Sequence, residues 1–110
     1  MDIATLAEKR AKLVFDLDGE KVTAEYYPHK MTPEYRSRLT RVMDDATEVD
    51  EGDARMLSDI LISWDVEANG QPFPPTYDNL LRAPQTLVTR AALEILIELG
   101  KLAAPPKLKK

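Results

Sequence analysis

Few residues of this 110-residue chain are of the types that perform catalysis. His29 is the single histidine and cysteine is absent, so a nucleophile activated by histidine would have to be a serine or a threonine. None of Ser37, Ser58 and Ser63 lies in the Gly-x-Ser-x-Gly turn that exposes a nucleophile in hydrolases. The sequence also lacks a glycine-rich phosphate-binding loop. It therefore predicts no catalytic residue, and we expect a protein that is not an enzyme.

Carboxylates form two candidate metal sites, and neither has the ligand spacing of a dedicated one. Asp16-x-Asp18-Gly19 is similar to the later part of a calcium-binding loop, but Val14 stands where the first Asp ligand is needed. Residues 44–53 contain six acidic side chains without a fixed spacing, which a solvated acidic bend explains. We therefore predict neither a metal nor another cofactor.

The charge distribution separates an acidic body from a short basic end. The net charge is −4, yet residues 101–110 contain four Lys and no acid, so residues 1–100 carry −8. This acidity argues against binding to nucleic acid or an anionic membrane.

Glu94 and Glu98 interrupt the most apolar stretch before it could span a bilayer. With 44% hydrophobic residues, the sequence predicts a single domain over residues 1–100 and a flexible basic tail over residues 101–110.

Residues 12–27 predict a β-hairpin around Asp18-Gly19, a dipeptide that favours a type I′ turn because both positions need positive φ. Closing the turn there places Phe15 opposite Val22 and pairs Asp16 with Lys21. One face of the hairpin then collects the apolar residues Leu13, Phe15, Leu17, Val22, Ala24 and Tyr26. A lone hairpin is marginal in water, so we expect helices to cover this face.

Helical signals follow the hairpin. Thr32-Pro33-Glu34 predicts a helix start, with Thr32 as N-cap and an apolar stripe behind it. That stripe comprises Tyr35, Leu39, Val42, Met43 and Ala46. We expect acidic residues 50–53 to end this helix and cap a second one, whose stripe runs from Ala54 to Trp64. Thr76 predicts a short helix that stops before Pro84. The fold class is thus α+β, mostly helical, with the hairpin packed on about three to four helices.

The last predicted helix, residues 84–99 with Gly100 as its stop, is apolar over more than one face. The main stripe is formed by Leu87, Val88, Ala91, Ala92, Ile95, Leu96 and Leu99. Leu93 and Ile97 extend it further round the helix. Either the rest of the domain covers these additional side chains, or a second copy or another protein does.

Several structural residues carry a resemblance to a known family. The segment LISWDVEANGQPFPPTYDNLLRAP, followed by the apolar helix, resembles tail assembly chaperones of long-tailed, non-contractile bacteriophages. The matching pieces are Trp64-Asp65, Gly70-Gln71-Pro72, Pro74, Thr76, Leu80, Pro84 and the helix over residues 87–99. The resemblance covers about residues 13–100.

The resemblance implies an assembly factor in the host cytoplasm. Such chaperones bind the long, largely helical tape measure protein, keep it soluble and help to recruit tail tube subunits through a longer form made by translational frameshifting. They are generally left out of the finished virion. The resemblance transfers no catalytic residue.

A chaperone for amphipathic helices needs an exposed apolar surface. We predict that Trp64, Phe73, Leu93 and Ile97 form this client-binding surface. For Trp64 and Phe73 the alternative is that they attach the Pro-rich loop to the core.

Two other functions stay open. The protein could be a structural component of the tail or neck of the virion. It could also be a small helical DNA-binding regulator that uses Arg36, Arg38 and Arg41, although the acidic charge and the lack of a helix-turn-helix spacing argue against this.

Overall fold

A computed structural model of the chain describes residues 1–35, 37 and 49–103, and for residues 49–51 and 103 the backbone alone. The helices are α1 (Ile3–Ala7), α2 (Val49–Ile60), α3 (Tyr77–Arg82) and α4 (Gln85–Ala103), and residues 33–35 are also helical. The strands are β1 (Ala11–Leu17), β2 (Glu20–Tyr26), β3 (Leu61–Trp64), β4 (Glu67–Ala68) and β5 (Gln71–Pro72).

The β1–β2 hairpin confirms the predicted turn and register. Asp18 and Gly19 adopt φ of +52° and +82°, as a type I′ turn requires. Phe15 lies opposite Val22, and Asp16 lies opposite Lys21. The inner face is buried, apart from the half-buried Leu17 at its end. Local turn chemistry and alternation therefore predict the turn and the register of this hairpin.

The hairpin gains a third strand that the sequence analysis did not predict. Helix α2 ends at Ile60, and β3 pairs antiparallel with β2, with Trp64 opposite Ala24. The prediction that the helical stripe continues to Trp64 is therefore wrong. The reason is the free edge of β2: the Tyr27 amide donates to the Ile60 carbonyl, and the Asp65 amide donates to the Thr23 carbonyl. Pairing with this edge satisfies backbone groups that a longer helix would leave without protein partners.

The acidic residues 50–53 also differ from the prediction. They lie within the helical residues Val49–Ile60, so this segment does not end a helix. The upstream helix start is confirmed, because the Tyr35 amide donates to Thr32 Oγ1 at 3.0 Å. The predicted stripe over residues 39–46 and the basic cluster Arg36, Arg38 and Arg41 lie outside the described residues.

The Pro-rich segment after β3 contains a second tight turn. Asn69 and Gly70 have φ of +53° and +79° and connect β4 to β5. The predicted N-cap of α3 is confirmed, since the Asn79 amide donates to Thr76 Oγ1 at 3.2 Å. As predicted, α3 stops before Pro84.

Helix α4 runs through Gly100 to Ala103, so the predicted stop at Gly100 is wrong. Gly100 does not adopt the positive φ of a C-terminal glycine. Lys101 also pairs with Glu98 at 3.5 Å, which is one turn back along the helix. The predicted basic tail thus begins as helix, and residues 104–110 lie outside the described residues.

The core lies where the inner face of the β1–β2–β3 sheet meets α2 and α4, with α3 against α2. The largest fully buried side chains are those of Met56, Leu57, Ile60, Leu80 and Ile95. The fold is therefore α+β, with an N-terminal hairpin packed on helices, as predicted.

Candidate protein-binding surface

Helix α4 has one buried face and one exposed apolar face. The buried face packs against β1 and α2. It contains Leu87, Val88, Ala91, Ala92 and Ile95. These positions recur at helical spacing, so the remaining side of the helix points away from the core.

The exposed side carries an uncharged strip, which we call the α4 strip. It consists of Thr86, Thr89, Leu93, Leu96, Ile97 and Gly100, all of them exposed. The exposed fractions of Leu93, Leu96 and Ile97 are 52%, 46% and 44%. At about 1.5 Å rise per residue, the strip is about 21 Å long. Exposed Leu102 lies at the end of the helix, on the opposite side by helical spacing.

Charged residues border the α4 strip on one side. Arg90 Nε donates to Glu94 Oε2 at 2.9 Å, four residues further along the helix. One turn further, Lys101 pairs with Glu98. Within each pair the two charges neutralise each other, so an apolar partner on the strip would not have to displace an unpaired charge at these residues.

The sheet beneath α4 contributes one perturbed titratable group. Tyr26 is 2% exposed. Burial, with a smaller contribution from the Glu98 carboxylate, raises the pKa of Tyr26 above 10.0.

The structure places the four predicted client-binding residues in two groups. Leu93 and Ile97 lie together on the α4 strip, and both are exposed. Trp64 and Phe73 are half-buried and lie on β3 and on the segment after β5. Trp64 Nε1 donates to the Phe73 carbonyl, and the Phe73 amide donates to the Val66 carbonyl. These contacts attach the Pro-rich loop to the sheet. They agree with the alternative given above, in which Trp64 and Phe73 have a structural role.

Of the three aliphatic side chains on the strip, Leu96 is the one that the sequence places in the main stripe and that the structure exposes. Leu96 and Ile97 follow Leu93 by three and four residues, so both side chains lie beside that of Leu93 on the helix surface. Leu96 also lies four residues after the buried Ala92, so helical spacing alone does not identify it as exposed.

The structure also describes several of the residues that the sequence analysis considered for catalysis or metal binding. His29 is exposed in its turn, and Ser58 donates its hydroxyl to the Arg55 carbonyl. Within residues 1–35, 37 and 52–102, no group of three or more His, Cys, Asp or Glu side chains could hold a metal ion. Asp18 occupies the first position of the hairpin turn.

The helices in the described part of the chain are all too short or too polar to cross a lipid bilayer. Comparisons with protein-family models, with curated proteins and with solved structures gave no match to this chain.

Proposed function

We propose that this protein is a bacteriophage tail assembly chaperone that binds and solubilises the tape measure protein in the host cytoplasm. The observation that carries the proposal is the α4 strip. Leu93, Leu96 and Ile97 expose about half of their side chains at i, i+3 and i+4 spacing on a helix whose other face is anchored in the core. The family resemblance of the segment from Trp64 to Pro84 supplies the identity of the client.

The strip suits a long helical client for a physical reason. An amphipathic helix presents apolar side chains at i, i+3, i+4 and i+7, and the α4 strip presents apolar groups at matching intervals. Two such faces exclude water from each other by ridges-into-grooves packing. Gly100 leaves open space at one end of the strip, where a client helix could approach closely.

In this proposal the chain binds the tape measure protein without a chemical reaction. Burying about three aliphatic side chains at a contact contributes a few kcal/mol before the cost of association is subtracted, so a single contact with a client is weak and reversible. Reversible binding is what a solubilising factor needs if tail tube subunits are to replace it on the tape measure protein. Recruitment of those subunits belongs, in this proposal, to a longer frameshifted form of the chain.

The experiment is co-expression with the tape measure protein, identified as the long, helix-rich protein encoded next to this gene. We expect the soluble yield of the tape measure protein to rise and the two chains to co-purify. Unchanged solubility together with no co-purification would contradict the proposal. Mass analysis of purified virions separates the main alternative, because a structural tail or neck protein would be present there in stoichiometric amounts.

A further inference from the structure

A second surface feature lies at the opposite end of the hairpin from Tyr26. The groove runs between the tip of the β1–β2 hairpin, the segment after β3 and the first turn of α4, and its volume is about 820 Å³. Its apolar lining includes Leu17, Val22, Val66 and Leu87. This volume is in the range of about 300–1,000 Å³ that is typical of ligand-binding clefts.

The rim of this groove is acidic. Asp18, Glu20, Asp65 and Glu67 contribute four carboxylates, against the single ammonium of Lys21. Asp65 is held in place because its Oδ1 accepts the Thr23 amide at 2.9 Å. Glu20 and Glu67 are exposed. An occupant that complements this groove therefore combines an apolar side chain with several positive charges.

The chain itself contains a segment of that composition. Residues 107–110 read Lys-Leu-Lys-Lys, which is one aliphatic side chain flanked by three ammonium groups. We propose that the groove binds residues 107–110 of a second copy of this chain. Leu108 would lie on the apolar lining, and the lysines would pair with the carboxylates of the rim.

Chain length decides between the same copy and a second one. From Leu87 in the groove to Ala103, α4 rises by about 24 Å at about 1.5 Å per residue. Residues 104–108 span at most about 18 Å even when fully extended. The backbone of Leu108 therefore stays at least about 6 Å from that of Leu87 in its own copy, whereas the groove of a neighbouring copy is within reach.

The contact is head-to-tail, because the groove and the basic segment are different surfaces. Such heterologous contacts close into rings or continue as open chains. Since much of the contact is electrostatic and near the surface, the association should weaken as salt is added. This self-association does not depend on client binding and is testable on the purified chain alone.

The direct test is zero-length carbodiimide cross-linking of an equal mixture of unlabelled and ¹⁵N-labelled full-length chain. We expect cross-links from Lys107, Lys109 or Lys110 to Glu20 or Glu67, with mixed isotope labels. Cross-links within one copy only, or none between these residues, would overturn the proposal.

Charge-reversal variants give a second test of this self-association. Glu20→Lys with Glu67→Lys, and separately Lys109→Glu with Lys110→Glu, should each weaken self-association at least about tenfold in sedimentation velocity. Mixing the two variants should restore association, because each then complements the other. The matched control, Glu8→Lys with Asp78→Lys, changes the charge equally away from the groove and should retain wild-type association. A monomeric wild type, or variants that associate as the wild type does, would refute the proposal.

Discussion

Trp64 Nε1 donates a hydrogen bond to the backbone carbonyl of Phe73, nine residues further along the chain. The bond connects β3 to the segment that follows β5, so the indole is a structural anchor of the Pro-rich loop. It also explains why a Trp lies on a strand at the edge of the sheet, where its ring packs against the core and its N–H needs an acceptor.

Trp64→Phe should therefore loosen this loop while leaving the fold intact. The variant keeps an aromatic ring and loses the donor, so we expect the free energy of unfolding to fall by about 1 kcal/mol. Urea denaturation measures this loss. Hydrogen exchange should quicken at the Phe73 amide, which donates to Val66. Wild-type stability and wild-type exchange at that amide would show that the bond contributes nothing.

Two glycines should respond to alanine in opposite directions. Gly19 has φ of +82°, which alanine adopts only with strain, so Gly19→Ala should destabilise the protein by about 1 kcal/mol. Gly100 lies within α4 with open space at its Cβ position, so Gly100→Ala should stabilise by up to about 1 kcal/mol. Thermal unfolding of both variants tests the pair. Destabilisation by Gly100→Ala would contradict the extension of α4 to Ala103.

Tyr26 should make the stability fall at alkaline pH. Its pKa is raised in the folded protein by burial first and by Glu98 second. The folded state therefore keeps the phenol proton more tightly than the unfolded state does. This contribution to stability is complete below the unfolded pKa of 10.0 and is lost as the pH rises through the higher folded pKa.

The measurement is the free energy of unfolding against pH, for wild type and Tyr26→Phe. Because phenylalanine cannot ionise, the variant should lack this part of the decline above pH 10, and the two curves should converge or cross there. Glu98→Gln should reduce the effect in part. Parallel curves for wild type and Tyr26→Phe would rule out a raised pKa at this residue.

Residues on the two faces of α4 should tolerate charge very differently. Ile95 is fully buried, whereas Ile97 is 44% exposed. Ile95→Glu should cost several kcal/mol or prevent folding, because a carboxylate would be buried without a partner. Ile97→Glu should change the free energy of unfolding by less than about 1 kcal/mol. Chemical denaturation compares the two, and similar large losses would mean that Ile97 belongs to the core.

The features predictable from sequence were those encoded locally. Asp18-Gly19 fixes the turn of the hairpin, and Thr32 and Thr76 cap the helices that follow them, because each uses only its neighbours in the chain. The wrong predictions have distant or competing causes. Trp64 satisfies helical spacing, but the unpaired edge of β2, about forty residues earlier, offers its backbone partners in a strand.

The candidate surface was predictable in part for the same reason. The excess of apolar residues on the last helix identified Leu93 and Ile97, since helical spacing alone places them outside the main stripe. The exposure of Leu96 depends on where β1 and α2 pack against α4, which no local pattern reveals. The aromatic side chain of Phe73 suggests a place on this surface, but its backbone carbonyl makes the contact with Trp64.

The measurement that tests the central claim most directly is co-purification of the tape measure protein with three forms of this chain. Wild type and Leu81→Glu, the matched control at a helical leucine that is 50% exposed on α3, should both retain the client. Leu93→Glu with Ile97→Glu should lower its recovery about tenfold or more, because two carboxylates would oppose an apolar helix face. Retention of the client by the double variant, at the wild-type level and with an intact fold, would contradict the claim that the α4 strip binds it.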